Sequence, residues 1–433
     1  MMWTHRRSGN NNQRNAMDHR APYERDRTRV IHSPSFRRLQ RKTQILGTHS
    51  GDFHRTRLTH SLEVSSIGLS IIRNLGFRPE HQMLEALLPD DDLITTICLL
   101  HDIGHPPFGH GGETALNYMM REHGGFESNA QTLRLLTKLE NSYGSFGLDL
   151  TRRSLLGILK YPVARYQVLA PQCTEADKPA KAIVRINDWI PPKAYFDSEK
   201  AEVKWILESF SQEDQTLFQS LRCMPHMNKH GEAAYYSFDC SIMDAADDIA
   251  YGVHDLEDAI HLRLIQREHL DTPSFRQLLR ATPICDASYK ILEQLFADEI
   301  QQRKQAIGEL VNYLVSSAEI ISVHQDFTNP LLRYNLRLVE PAHLLLKALK
   351  DCIFCYVIDS QAARTAEHAG QHIIMRIFEA TNSNPASLLD NTYRQLYLKA
   401  ESNTQAHRVI CDYIANMTDE QASQVNKHLF GLY

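Results

Sequence analysis

Residues 93 to 113 read Leu93-Ile-Thr-Thr-Ile-Cys-Leu-Leu-His101-Asp102-Ile-Gly-His105-Pro-Pro-Phe-Gly-His110-Gly-Gly-Glu113, an apolar run that stops at His-Asp and passes into a Gly/Pro loop with further imidazoles. As a helix, this run carries Ile94, Ile97 and Cys98 on or beside the face of His101. An imidazole at the inner end of a core-facing stripe requires a partner, because burying an unpaired polar group is costly. Gly104, Pro106 and Pro107 end the helix. Gly109, Gly111 and Gly112 then let the backbone pass close to whatever His105, His110 and Glu113 approach. A lone histidine in such a place is usually a satisfied core residue. Adjacent His101 and Asp102, followed by two more histidines and a glutamate, instead form a nitrogen and oxygen donor set suited to Mn, Fe, Co, Zn or Mg.

The 433-residue chain is long enough for a large core. Its 42% hydrophobic content is interrupted by charge throughout, without an apolar run of membrane-spanning length. The polar start, Met-Met-Trp-Thr-His-Arg-Arg-Ser-Gly-Asn, lacks the apolar centre of a signal peptide and reads as a flexible tail over residues 1–20. Cytoplasm is the expected location, with no membrane partner. Cysteines at 98, 173, 223, 240, 285, 352, 355 and 411 have no framework spacing, and the Cys352/Cys355 pair sits in an apolar stretch that reads as packing. A net charge of −5 excludes a generally basic nucleic-acid coat. Arg20, Arg25, Arg27, Arg29, Arg37, Arg38, Arg41, Lys42, Arg55 and Arg57 nevertheless crowd one segment, which suggests a polyanionic ligand such as phosphate.

Taken in order, Ser33-Pro34-Ser35 starts a helix ahead of Phe36 and Leu39, and residues 47 to 52 form a loop. Arg57 to Leu75 carries His60, Val64, Ile67, Ile71 and Leu75 at helical steps, so a second histidine lies on a buried stripe. Two antiparallel helices packed about 8–10 Å apart can bring His60 to His101 and Asp102. A fourth ligand is sought on a helix with an apolar face, and residues 240–260 supply one: Ile242, Ala246, Ile249, Val253 and Leu256 are its stripe. Asp244, Asp247, Asp248, Asp255 and Asp258 are spread over the rest, and spacing does not choose between Asp247 and Asp248. Residues 126–139 read as an amphipathic helix, and the pattern beyond 260 is almost entirely helical; the chain has no strand-turn-strand series of the kind an all-β or doubly wound domain needs.

Several blocks together resemble the HD-domain deoxynucleoside triphosphate triphosphohydrolases of the bacterial dGTPase-like branch. They are Phe36 to Gln44, Arg57-Leu-Thr-His60, His101 to Glu113, Phe126-Glu-Ser-Asn-Ala-Gln131, Leu155 to Pro162, Tyr195-Phe-Asp-Ser-Glu199 and Asp244 to Asp255. The resemblance is clear over about residues 21 to 260 and fades after that. It implies an all-α fold: an HD-domain helical bundle at 21–270 with a helical insertion, and additional C-terminal helices at 271–433 packed on the core.

The resemblance also implies hydrolysis of a dNTP to a deoxynucleoside and tripolyphosphate. The metal ligands would be His60, His101, Asp102 and Asp247, the last singled out by the Tyr251 and Asp255 that follow it at +4 and +8 and approach the sugar. Gln44 would lie near the deoxyribose, and Arg57, Lys193 and Tyr195 on the phosphates. His110 with Glu113 resembles the family's catalytic pair for proton transfer, and His105 is a second-rank candidate. Ser128 stands where some relatives carry histidine, so no catalytic imidazole is assigned there. The implied cofactor is Mg2+ or Mn2+, with Fe, Co, Ni or Zn as substitutes. The implied partners are the dNTP, copies of the chain in a homo-oligomer up to a hexamer, and a regulatory dNTP or single-stranded DNA. The competing readings are an HD phosphohydrolase acting on other nucleotides, and a nucleotide-sensing or nucleic-acid-binding oligomer with secondary hydrolytic activity.

Overall fold

Asp90 begins the decisive helix. Its carboxylate accepts the Leu93 amide at 2.7 Å, and Asp91 and Asp92 follow in the first turn, where negative charge meets the positive end of the helix dipole. In the computed structural model this helix spans Asp91–Leu100 and buries Leu93, Ile94, Ile97 and Leu100 completely. The structure describes residues 2–9, 18–44, 55–171, 186–227, 229–283 and 288–431. The loop expected at 47–52 lies outside them, as do residues 10–17, Cys173 and Cys285.

Two further helices close around the first. Arg57–Gly76, capped by Thr56, packs against both Asp91–Leu100 and Phe238–Ala250. Gly68 sets one of these approaches: a Cβ there would come within 2.8 Å of the Cys98 sulphur. The Phe238–Ala250 helix is capped by Ser237, buries Ile242, Ala246 and Ile249, and continues through a π turn at Tyr251–Asp255 into Leu256–His261. The helix read at 126–139 is Ser128–Arg134 followed by a π turn, Leu135–Leu139. The helix begun at Ser33 is short, Pro34–Arg38, with the Ser33 hydroxyl accepting the Phe36 amide. The fold is all-α with a few short strands.

The buried apolar residues form two large clusters. The first joins the three helices above to Val30, Phe36 and Leu39 and to the helices of residues 273–357. The second is built on the other side of the His-Asp loop: Ala115 and Leu116 of the Gly109–Met119 helix meet Ile374, Ile377 and Phe378 of Gln361–Ser383, and Ile410 and Ile414 of Asn403–Ala415. One loop therefore connects two cores.

The structure departs from expectation in two places. Ala318–Ser322 and Tyr334–Leu338 pair as antiparallel strands, with Ala318 opposite Leu338 and Ser322 opposite Tyr334. They are stitched to the Asp247 helix by the Leu336 amide, which donates to Ser241 Oγ at 2.8 Å. Each strand is only five residues long and a helical turn, Pro330–Arg333, separates them, so no hairpin spacing marks them in sequence. The N-terminal end is also not a free tail over Met2–Gly9. Trp3 packs on Phe210 with ring centroids 5.1 Å apart, and the buried Arg6 guanidinium pairs with Asp26 at 2.6 Å. Polar composition hid this because the acidic partner comes from another helix.

Candidate active site

The three helices bring four expected side chains to one point. His60, on the first turn of its helix, places Nε2 2.9 Å from Asp247 Oδ1. His101 donates from Nδ1 to the Cys98 carbonyl at 2.7 Å, which leaves the lone pair of Nε2 facing the cluster. That Nε2 is buried without a hydrogen-bond partner, 3.6 Å from both Asp102 Oδ2 and Asp247 Oδ1. Ligand atoms of His60, His101 and Asp102 lie within 4.8 Å of one another, so this cluster can hold a metal ion. An orphaned imidazole nitrogen beside carboxylate oxygens suits a divalent cation.

Electrostatics favour the same reading. Burial opposes a charge on His60, but the hydrogen bond and charge of Asp247 raise its pKa to about 9. A ligating histidine must be neutral, so a cation there would take the place of that proton. Burial likewise opposes ionisation of Asp102, yet Arg57 and His105 hold its carboxyl well below the usual range. The Arg57 guanidinium lies 2.6 Å from Asp102 Oδ2, and His105 Nδ1 lies 2.9 Å from Oδ1. Burial and the charge of Arg57 lower the His105 pKa to about 4, so a neutral His105 orients Asp102 and meets His110 edge-on at 5.6 Å.

His110 and Glu113 sit one turn into the second core. His110 is 77% exposed and holds Nδ1 3.1 Å from Glu113 Oε2, whereas Glu113 is buried. The other oxygen, Oε1, accepts the Ser128 amide at 2.8 Å. Position 128 thus contributes its backbone. Lys193 Nζ lies 3.0 Å from Glu127 Oε1 and 3.5 Å from Glu113 Oε1, which ties it to both carboxylates.

The other expected contacts surround this centre unevenly. The Gln44 amide oxygen is buried and unpartnered, one residue from the Thr43–Thr56 bridge that leads into Arg57. Tyr251 is half-buried, with Lys350 Nζ 5.9 Å from its ring centroid. Asp255 is buried with Oδ2 unpartnered, and burial raises its pKa to about 7. Tyr195 is 5% exposed and packed in the first core, where it lines a small cavity with Lys160 and Tyr161.

The aspartates that spacing left open are separated by their partners. Asp244 pairs with Lys160 at 2.5 Å and Asp248 with Lys350 at 2.5 Å, while Asp247 alone of the three faces His60. Residues 57–158 match the HD domain family, and residues 336–428 match the phosphohydrolase-associated domain. The chain is 44% identical over 422 residues to a deoxyguanosinetriphosphate triphosphohydrolase-like protein of Vibrio campbellii, covering 95% of this chain and 93% of that one. It is 45% identical over 433 residues to a protein of the same name from Shewanella pealeana, covering 99% and 96%. This chain belongs to the deoxyguanosinetriphosphate triphosphohydrolase-like family of HD-domain phosphohydrolases.

The kinship of this HD phosphohydrolase extends well past residue 260, where the motifs become hard to read. Two site residues were not singled out in sequence. Lys160 is largely buried, and although burial opposes its charge, Asp244 raises its pKa well above the usual lysine value. A single lysine closing the apolar run Leu155–Leu159 was the available signal. Glu127 caps the Ser128–Arg134 helix through Oε2 and receives Lys193 on Oε1. The crowded basic segment, by contrast, is not an open patch. Among the described residues all its members but Arg37 and Lys42 pair with carboxylates, several brought from distant sequence: Arg27 with Asp92, Arg29 with Asp149, Arg38 with Glu140 and Arg41 with Glu420. Lys42 is buried on the carbonyls of His105 and Ala415. Among the described residues no helix is long and apolar enough to cross a membrane.

Proposed function

We propose that this HD phosphohydrolase hydrolyses deoxynucleoside triphosphates to the deoxynucleoside and inorganic tripolyphosphate. The observation that carries the reading is the buried, unpartnered His101 Nε2 aimed at His60, Asp102 and Asp247, with His110 and Glu113 held apart from them on another helix. The names of the relatives, which refer to deoxyguanosine triphosphate, support the substrate class.

A divalent cation, Mg2+ or Mn2+ with Fe, Co, Ni or Zn as substitutes, would polarise the α-phosphate and acidify a water when held by His60, His101, Asp102 and Asp247. Arg57, Lys160 and Lys193 supply positive charge around the same centre for the triphosphate. His110 exchanges a proton with the attacking water or the departing 5′ oxygen, and Glu113 orients its Nδ1. Gln44, Tyr251 and Asp255 face the deoxyribose, where a buried wall that cannot satisfy a 2′ hydroxyl rejects a ribose. The reading includes a homo-oligomer and a regulatory dNTP or single-stranded DNA bound outside this centre.

Purified Asp102→Asn and Asp247→Asn proteins, assayed for bound metal and turnover, test the ligand set. Both are expected to lose metal and activity together. His110→Ala is expected to keep its metal and hydrolyse about 100-fold more slowly. Full activity in either aspartate variant removes that residue from the ligand set, and metal loss in His110→Ala moves His110 into it.

A further inference from the structure

One carboxylate of the phosphohydrolase-associated domain bonds directly to the backbone of the His-Asp loop. Asp419 opens the Asp419–Phe430 helix, where an acid ordinarily serves its own helix dipole. Here, however, the side chain is buried and both oxygens are used on other segments. Oδ1 accepts the Phe108 amide at 3.0 Å, and Oδ2 accepts the Thr43 amide at 2.9 Å.

Phe108 has φ 62 and ψ 25, a left-handed conformation that is uncommon for an aromatic residue and requires its surroundings to hold it. It is also the residue from which the Gly109–Met119 helix starts, two positions before His110, and its own side chain offers no cap. Thr43 precedes Gln44, and the Thr43–Thr56 bridge leads directly to Arg57. Lys42 adds a second tie between the same parts, from the His105 carbonyl to the Ala415 carbonyl. The loop between the metal cluster and the catalytic pair is thus held at both ends by residues 415–419.

We propose that Asp419 is a positioning residue for hydrolysis: its carboxylate fixes the left-handed turn at Phe108 and so sets the direction of His110 and Glu113 relative to the metal cluster. The associated domain is then a working part of the active site. This rests on the reading of His110 and Glu113 as the proton-handling pair. An asparagine at 419 has one oxygen and could satisfy only one of the two amides.

The test compares wild type with Asp419→Asn, Asp412→Asn, His110→Ala and the His110→Ala/Asp419→Asn double variant, measuring kcat, KM, bound metal and melting temperature. Asp412 lies in the same domain, is buried, and pairs with Arg134 away from the loop, so it reports the effect of weakening the domain alone. Asp419→Asn is expected to lower kcat about tenfold, the scale of a small misplacement, with KM and metal content within about twofold of wild type. Asp412→Asn is expected to melt earlier with an unchanged kcat per folded molecule. The double variant is expected to be no slower than His110→Ala, because Asp419 acts through His110. Should Asp419→Asn fail to fold, Asp419→Glu keeps the charge, moves the carboxylate by one methylene, and is expected to show the same kcat loss. Loss in His110→Ala beside full turnover in the Asp419 variants overturns the inference alone, as do equal losses in Asp412→Asn or multiplied losses in the double variant. Wild-type turnover in His110→Ala overturns the catalytic reading and the inference with it.

Discussion

Asp255 carries an unanswered polar demand beside the site. Its Oδ2 is buried without a partner, and burial lifts its pKa to about 7, far above the value of an unfolded aspartate. Because the folded-state pKa is raised, the native protein holds this proton more tightly. The stabilisation is fully present below about pH 4 and is lost as pH rises through about 7. Asp255→Asn should therefore melt close to wild type at pH 4 and several degrees higher at pH 8, while binding substrate more weakly. Melting curves across that range check it, and a difference independent of pH would show that the buried carboxyl is not the source. The same residue illustrates how far a single position can be read. Its acid and spacing from Asp247 are legible, but its burial depends on packing of the Tyr251–Asp255 turn against distant helices such as Glu340–Ile353.

At the scale of elements, helices with one apolar stripe were the most legible. His60 and His101 were found because polar residues interrupt such stripes, and the stripes formed as expected. Asp247, Asp244 and Asp248 share one polar arc of a helix that spacing alone does not resolve; the resemblance favours Asp247, and in the structure the cations that neutralise the other two separate them. Lys350 lies 102 residues away from Asp248, which no local pattern encodes. The π turn at Tyr251–Asp255 is hidden for a related reason: spacing of four and eight is compatible with an α-helix, and the helix that packs against the turn, Glu340–Ile353, lies far along the sequence. Gly104 is a place where an element interface has no tolerance. A Cβ there would overlap the Ser128 carbonyl and the Thr132 amide, so the His-Asp loop could not seat on the Ser128–Arg134 helix. Gly104→Ala is expected to lose about 2 kcal/mol or more of stability and to bind metal less tightly. Urea unfolding and metal titration measure both, and an unchanged midpoint with unchanged metal affinity would place the loop elsewhere.

At the scale of the molecule, two cores meet at the His-Asp loop. The cluster of His60, His101 and Asp102 that can hold a metal hangs from the first core, and His110 and Glu113 hang from the second, which the C-terminal helices complete. Sequence motifs expose the first half well, since its ligands must be particular residue types. They expose the second poorly, because its contribution is made by apolar packing and a few long-range bonds such as Asp419 to Phe108, 311 positions apart. Arg134 joins the halves, pairing at 2.7 Å with both Glu199 and Asp412, which are buried. Arg134→Met leaves Asp412 without its cation and Glu199 with Lys138 alone, and is expected to destabilise the protein by about 3 kcal/mol, read from denaturant unfolding. Stability equal to wild type would mean that the two cores hold together without it. The chemistry itself is tested most directly by its products. Incubation of the metal-loaded protein with each of the four dNTPs and with GTP, followed by separation of the products, should yield deoxynucleoside and tripolyphosphate from at least one dNTP and little turnover of GTP. Release of nucleoside monophosphate and pyrophosphate would contradict the proposed reaction.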